Sequence, residues 1–334
     1  MSEHRNVGLF IVHSGCPHRC VFCDQKAISG EKYPVTPDDV RAAAETALSS
    51  GGKGGEIAFF GGSFTAVPRK YMISLLEAAL PYVRSGDFSG VRCSTRPDCI
   101  DPEILDILEK YRVSAVELGA QSMSDETLAA NLRGHTSDDV RSASRLIKER
   151  GMQLGLQMMT GMYRGGRGSD VYTAEEFVKL APDTVRIYPT VTIKNTALAD
   201  KYESGEYVPP TLGETVELCA RLITLFRANG IKVIRCGLHS GGGVEDGYVA
   251  GPYHPAFGEL CESRILLEKV LPAVRSVIEK DPAAKIEIRV APREVSRAVG
   301  QKRSNIEYLE SIGARCRVIP DASVAPGEPE VKAV

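Results

Sequence analysis

The sequence has no uninterrupted apolar run of about eighteen residues, so no helix of it is predicted to cross a membrane. Its opening residues, Met1-Ser2-Glu3-His4-Arg5, lack the apolar core of a secretory leader. The nine cysteines are therefore expected as reduced thiols in the cytoplasm rather than as a disulfide framework. Charge of one sign is scarce as well. Lys and Arg number 41 against 43 Asp and Glu, a formal net charge of −2, which argues against attraction of nucleic acid by the whole molecule and leaves any such contact to a local patch. What remains is an ordinary globular composition, 43% hydrophobic and 25% charged over 334 residues, enough for one large domain with a smaller companion.

A missing fourth cysteine is more telling. Cys16, Cys20 and Cys23 form a compact C-x3-C-x2-C loop in Ser14-Gly15-Cys16-Pro17-His18-Arg19-Cys20-Val21-Phe22-Cys23. A [4Fe–4S] cube takes four thiolates, one per iron, so three of them leave one iron open to a small molecule. Nine cysteines in 334 residues make this spacing a poor product of chance. A structural zinc ion wants a fourth ligand, and His18 lies inside the loop, where it hardly closes a tetrahedron with its flanking cysteines. Cysteines 93, 99, 219, 236, 261 and 316 show no metal-ligand spacing and read as small buried or half-buried side chains.

Short β-rich runs alternate with amphipathic stretches along the chain. Strand Val7–His13 leads into the cysteine loop, followed by helix 36–50 with Thr36 as N-cap and an acidic first turn. Strands are then predicted at 56–60, 90–94, 114–119, 152–158 and 184–188, with helices at 69–84, 102–111, 137–150 and 174–180. This βα alternation implies an α/β fold, a partial (β/α)6 TIM-like barrel whose chemistry sits on loops at the carboxyl ends of the strands.

Every candidate motif falls at such an end. Gly61 and Gly62 follow the second strand, where absent side chains let a ligand reach backbone carbonyls, although Gly-Gly is also an ordinary turn. Arg133 suits bidentate pairing with a carboxylate, against a plain reading as a solvated arginine at a helix end. Gln121 ends the fourth strand and Gln157 lies in the fifth, where an amide can reach ribose hydroxyls or serve as a structural hydrogen-bonder.

The cysteine loop, Phe60-Gly61-Gly62-Ser63-Phe64-Thr65, Ser94-Thr95-Arg96-Pro97-Asp98, Glu117-Leu118-Gly119-Ala120-Gln121-Ser122 and Arg133-Gly134-His135-Thr136 occur in the order and spacing of radical S-adenosylmethionine (SAM) enzymes. More narrowly, the chain resembles the radical SAM half of the Elongator catalytic subunit and its shorter bacterial relatives. That likeness continues through Arg186-Ile187-Tyr188-Pro189-Thr190 and Tyr202-Glu203-Ser204-Gly205-Glu206-Tyr207, and covers roughly residues 5–270. The resemblance implies that Cys16, Cys20 and Cys23 ligate the cluster, that Gly61, Gly62 and Ser63 receive the SAM amino group, and that Arg133 holds its carboxylate. It places Gln121 and Gln157 at the ribose and Phe22 near adenine, though Phe22 would look the same as a core aromatic. It also implies reductive cleavage of SAM to methionine and a 5′-deoxyadenosyl radical, with an electron donor as partner. The resemblance assigns no catalytic residue beyond these. An Elongator-type acetyltransferase domain is not expected in a chain ending at Val334, and the loop 159–168 departs from the "GLPG" form common at that place.

Beyond a helix at 211–229, a strand at 231–236 and a flexible glycine run at 239–243, the motif Gly251-Pro252-Tyr253-His254-Pro255 opens a long helix, 258–280. Residues 285–319 then read as strand, helix, the turn Gly300-Gln301-Lys302-Arg303, helix and strand, which resembles a KH module with only the first glycine of its GXXG loop. Eight basic and four acidic side chains give this segment a net charge of +4. Arg297, Gly300, Lys302 and Arg303 are the expected RNA phosphate contacts, against the alternative of a structural cap with solvated charges. The expected organisation is a barrel domain at 1–250, a helix plus KH-like α+β domain at 251–320, and a disordered tail at 321–334 rich in Pro, Ala and Glu. The leading functional expectation is a tRNA-modifying radical SAM transferase, plausibly acting on a wobble uridine, with tRNA as partner and no membrane. The alternatives are radical chemistry on a small molecule or tetrapyrrole, or a non-catalytic RNA-binding scaffold that has kept the cluster.

Overall fold

A computed structural model describes residues 6–11, 20–24, 33–238 and 243–334. Cys16, His18, the first expected strand beyond Ile11 and the glycine run 239–242 lie outside the described residues.

Strands β1 (Val7–Ile11), β2 (Glu56–Gly61), β3 (Gly90–Thr95), β4 (Val113–Gln121), β5 (Gln153–Thr160), β6 (Thr184–Pro189) and β8 (Lys232–Cys236) form one sheet in that spatial order. Every pairing in it is parallel. Among the described residues the two outermost strands, β1 and β8, do not pair with each other, so the curled sheet is an open barrel. The six strands expected of the barrel are thus joined by a seventh parallel one, β8, formed by the strand expected at 231–236. A two-stranded antiparallel ribbon, β7 (Thr192–Ile193) with β9 (Tyr248–Ala250), was not foreseen.

The helices are α1 (Pro37–Ser49), α2 (Arg69–Arg84), α3 (Pro102–Lys110), α4 (Asp125–Ala130), α5 (Ser137–Glu149), α6 (Arg167–Leu180), α7 (Ala197–Glu203), α8 (Leu212–Ala228), α9 (Gly243–Gly247) and α10 (Phe257–Lys280). Three begin with reciprocal capping boxes, Thr36 with Asp39, Thr136 with Asp139 and Thr211 with Glu214, each satisfying two otherwise orphaned backbone donors. Helix α6 starts at Arg167 rather than at the expected residue 174. Gly166, at φ 90°, turns the chain, and Asp170 in the first turn accepts from the Gly161 backbone at 2.9 Å, so the glycine-rich stretch becomes a helix start.

Strand alternation sorts the sheet into two faces. Leu9, Ile11, Ile57, Phe59, Val116, Leu118, Leu154, Leu156, Val185 and Ile187 face outward into the main core beneath the helices. The other face carries Ser94, Glu117, Gln157 and Arg186, a polar interior.

A second core builds the C-terminal unit, in which β10 (Lys285–Val290), α11 (Val295–Val299), α12 (Ser304–Ser311) and β11 (Arg315–Pro320) follow in the expected order, with β10 and β11 parallel. Helix α10 joins the two cores. Phe257, Cys261 and Ile265 pack into the main one, and Leu266, Leu267, Val270 and Val274 into the other. The tail is a correction to the sequence expectation. Instead of disorder at 321–334, strand β12 (Glu330–Ala333) pairs antiparallel with β10, because β10 has an open edge and Val331 packs against the second core. Val324 is buried, and the Gly327 backbone donates to Glu294 at 2.9 Å.

Candidate functional site

Arg133 joins the cysteine loop to the carboxyl end of the barrel. It follows α4, and its buried guanidinium donates from Nη1 to the Cys20 sulfur at 3.1 Å and from Nη2 to the Gly119 carbonyl at 2.6 Å. The loop is held from below as well. The Val21 amide donates to the Asn131 carbonyl at 3.3 Å, the Leu198 amide to the Val21 carbonyl at 2.8 Å, and the Cys23 amide to the Cys20 carbonyl at 3.1 Å.

A hydroxyl chain links the ends of β2 and β3 to the same arginine. Ser63 Oγ lies 2.9 Å from Thr95 Oγ1, which lies 2.6 Å from Thr65 Oγ1, and the Arg96 amide donates to Ser63 at 3.2 Å. The Arg96 side chain forks onto Asp98 at 2.9 and 3.1 Å and also donates to the Arg133 carbonyl. Gly61, at φ 99°, closes the end of β2, where an added Cβ would fall on the Phe10 ring. The Gly62 amide donates to the Ile11 carbonyl at 2.9 Å.

Gln121 adopts φ 65° at the end of β4, a left-handed conformation uncommon for a side-chain-bearing residue and frequent at sites of function. Its Oε1, Arg133 Nε, Arg96 Nη1 and His135 Nδ1 are buried with no hydrogen-bond partner among the described residues. Buried polar atoms are rarely left so, and four around one strand end make a cradle suited to a polar ligand. His135 donates from Nε2 to the Ala120 carbonyl at 3.1 Å. Burial, then the Arg133 and Arg96 charges, push its pKa down to about 4, so the ring is neutral near pH 7.

One turn deeper lies a charged layer that sequence reasoning did not assign. Glu117, 1% exposed, accepts from Arg186 Nε at 2.6 Å and Nη2 at 3.0 Å, from Gln157 Nε2 at 3.0 Å and from Arg92 Nη1 at 3.4 Å. Gly155 leaves the room for this, since a Cβ there would come within 2.7 Å of Glu117 Cγ. An acid at the centre of β4 between outward Val116 and Leu118, matched by Arg186 two strands away, was the available signal.

The expected residues thus divide into groups. Cys20, Ser63 and Arg133 share one network at adjacent strand ends, with Gln121 at the end of β4 and Gly61 and Gly62 beside it. Gln157 sits on Glu117. Phe22 packs with Tyr163, Leu198 and Tyr207, whose tyrosines wall a cavity of about 670 Å³. The expected RNA contacts lie elsewhere, on the C-terminal unit. Arg297 forks onto Glu259 at 2.8 and 2.9 Å, Arg303 pairs with Glu310 at 3.6 Å, and Glu287 takes both Arg289 and Arg317, so several basic side chains of the patch are already held in ion pairs. Gly300, at φ 79°, has Asn305 N within 2.7 Å of any added Cβ, which gives it a packing reason to be glycine. Lys302 is exposed, with no carboxylate partner among the described residues.

An open parallel barrel with a cysteine loop and a polar cradle at its carboxyl end defines the class, and the match to the family agrees: the chain belongs to the radical SAM superfamily, whose profile covers residues 10–181, followed by the radical SAM C-terminal domain at 182–266. Among its relatives, an uncharacterized protein of Methanocaldococcus jannaschii is 30% identical over 207 residues, 58% of this chain and 63% of that one. The tRNA uridine(34) acetyltransferase of the same organism is 31% identical over 188 residues, 49% of this chain and 34% of the relative. Human Elongator complex protein 3 is 30% identical over 191 residues, 51% of this chain and 35% of its own length. The chain therefore matches about a third of the length of the latter two. An Elp3 structure from Methanocaldococcus infernus, lacking residues 1–46, shares the fold with a TM-score of 0.63 at 20% identity, covering 82% of this chain and 62% of the other.

Proposed function

We propose that this radical SAM enzyme modifies a base in tRNA, plausibly a wobble uridine. Its likeness to a tRNA uridine(34) acetyltransferase and to Elongator complex protein 3 across the barrel carries that reading. In it, Cys16, Cys20 and Cys23 hold the cluster, the 61–63 backbone receives the SAM amino group, Arg133 its carboxylate, and Gln121 and Gln157 its ribose. Bound together and reduced by an external electron donor, cluster and SAM supply one-electron cleavage of the sulfonium carbon–sulfur bond. The chain's own residues orient and exclude. Arg133 lies beside the cysteine sulfur with its Nε still to be satisfied, and Gln121 presents an acceptor held by a strained backbone. Phe22 backs the loop against Tyr163 and Tyr207. The barrel supplies this chemistry, and the C-terminal unit offers Lys302 and Arg303 to RNA phosphates.

Arg133→Ala is expected to weaken SAM binding to the anaerobically reconstituted protein by about 1.5–3 kcal/mol, the usual worth of a charged hydrogen bond. Equilibrium dialysis measures it, and equal affinity in both proteins would remove Arg133 from the SAM site. For the substrate, mass spectrometry of tRNA nucleosides should show one modified uridine missing from cells without the gene. Binding of tRNA should weaken as salt rises, with Lys302→Ala and Arg303→Ala together reducing the salt slope by roughly 1–2 units and leaving iron content unchanged. An unaltered nucleoside profile with no salt-dependent binding defeats the tRNA reading and advances a small-molecule substrate.

A further inference from the structure

Cys219, Cys236 and Cys261 stand far apart in the sequence with no ligand spacing, yet the fold gathers them. Cys219 lies on α8, Cys236 ends β8 and Cys261 lies near the start of α10. The sulfurs of Cys236 and Cys261 are 3.9 Å apart, and Cys219 lies 3.9 Å from the Thr160 hydroxyl. Hydrogen bonds from the other two thiols hold Cys219 well below the ordinary thiol pKa, and the same sharing raises Cys236 and Cys261. Among the described residues no group of three His, Cys, Asp or Glu side chains is arranged to hold a metal ion. Cys219 and Cys261 are fully buried. Cys236 is half-buried and lines a cavity of about 340 Å³ together with Arg235, Pro255 and Phe257, which gives a small oxidant a way in.

We propose that Cys236 and Cys261 form an oxidisable dithiol, closed to a disulfide by hydrogen peroxide entering through that cavity. The Cys236 sulfur attacks one peroxide oxygen; an S–O bond forms, the O–O bond breaks, and the departing hydroxide takes the thiol proton to leave as water. The Cys261 sulfur then attacks the resulting sulfenic acid. An S–S bond forms, the S–O bond breaks, and the second hydroxide leaves as water with the Cys261 proton. The two thiols lose two electrons and the peroxide is reduced to two waters. Cys219, which accepts from both thiols, is placed to relay the proton of the attacking sulfur to the departing hydroxide. Closure requires the sulfurs to approach by about 1.9 Å to bond length, a movement that side-chain rotation can share between the two residues. The bond would tie the edge strand β8 to α10, whose far half packs into the C-terminal core, and so staple the C-terminal unit to the barrel.

The test uses the full chain, purified anaerobically, treated with equimolar peroxide, alkylated, digested and mapped by mass spectrometry. The expected product is a peptide pair joined through Cys236 and Cys261, about 2 Da lighter than the two thiol peptides and separated again by dithiothreitol. The oxidised protein should melt several degrees higher than the reduced one, and Cys236→Ser should abolish both the link and the shift. Mapping of the unsubstituted chain decides the matter even if that variant misfolds. A disulfide involving Cys219, a Cys236 that ends as sulfinic acid, or two cysteines that remain alkylatable would each overturn the proposal.

Discussion

Cys20→Ala protein reconstituted anaerobically with iron and sulfide is expected to stay colourless, whereas the unsubstituted chain takes up about four irons and four sulfides and turns brown. Cys16→Ala and Cys23→Ala should behave alike, because with three thiolates and no fourth cysteine in the loop none is redundant. Cys20 has a second part to play, since its sulfur accepts from Arg133 at 3.1 Å and its loss leaves that buried guanidinium with one partner fewer. Cys316→Ala, altering a half-buried thiol on β11, is the control that should retain full iron content. Iron and sulfide analysis with the visible spectrum makes the comparison. Normal iron in any of the three loop variants, or zinc alone in the purified wild type, would end the cluster assignment.

Glu117→Ala should be the most destabilising single change in the barrel interior. The carboxylate is 1% exposed and accepts from Arg186, Gln157 and Arg92, so its removal strands the Arg186 guanidinium among buried neighbours. Breaking a buried pair from one side costs about 3–5 kcal/mol, while exchanging both partners for apolar side chains of similar volume often costs little. Arg92 suffers less, because it keeps Glu56 at 2.6 Å and Gln153 at 3.1 Å. Urea denaturation of Glu117→Ala, Arg186→Met and the double variant Glu117→Leu with Arg186→Met tests this. The double variant should be markedly more stable than Glu117→Ala. A Glu117→Ala protein within about 0.5 kcal/mol of wild type would show that the layer does not hold the sheet together.

Alternation within β4 identifies Ala115, Glu117, Gly119 and Gln121 as one face, but a strand pattern carries no information about what lies two strands away. Arg186 was visible only as part of a motif. Its pairing with Glu117 across Gly155 needed the register of β4, β5 and β6. Gly165, Gly166 and Gly168 look like loop, so the helix expected from the sequence begins only at residue 174. In the fold, Asp170 anchors the turn to Gly161, and a tertiary hydrogen bond outweighs the poor helix propensity of glycine. The basic segment 285–319 shows the same limit, since charge counting within it does not see that Arg297 reaches Glu259 on α10 or that Arg289 reaches Asp321.

By itself, then, the sequence determined the features carried by short-range spacing. Three thiols fall within eight residues, periods of two and 3.6 define strands and helices, and Thr-x-x-Asp/Glu capping boxes start three of those helices. Only the tertiary structure decided which strand ends meet. It brought Arg133 to Cys20 across 113 positions, assembled Cys219, Cys236 and Cys261 into one cluster, and turned an expected tail into a strand along the open edge of β10. Local patterns survive translation along the chain because they depend on backbone geometry alone. Contacts between distant segments depend on the order and register of the sheet, which arise only when the apolar faces of all the helices are buried at once.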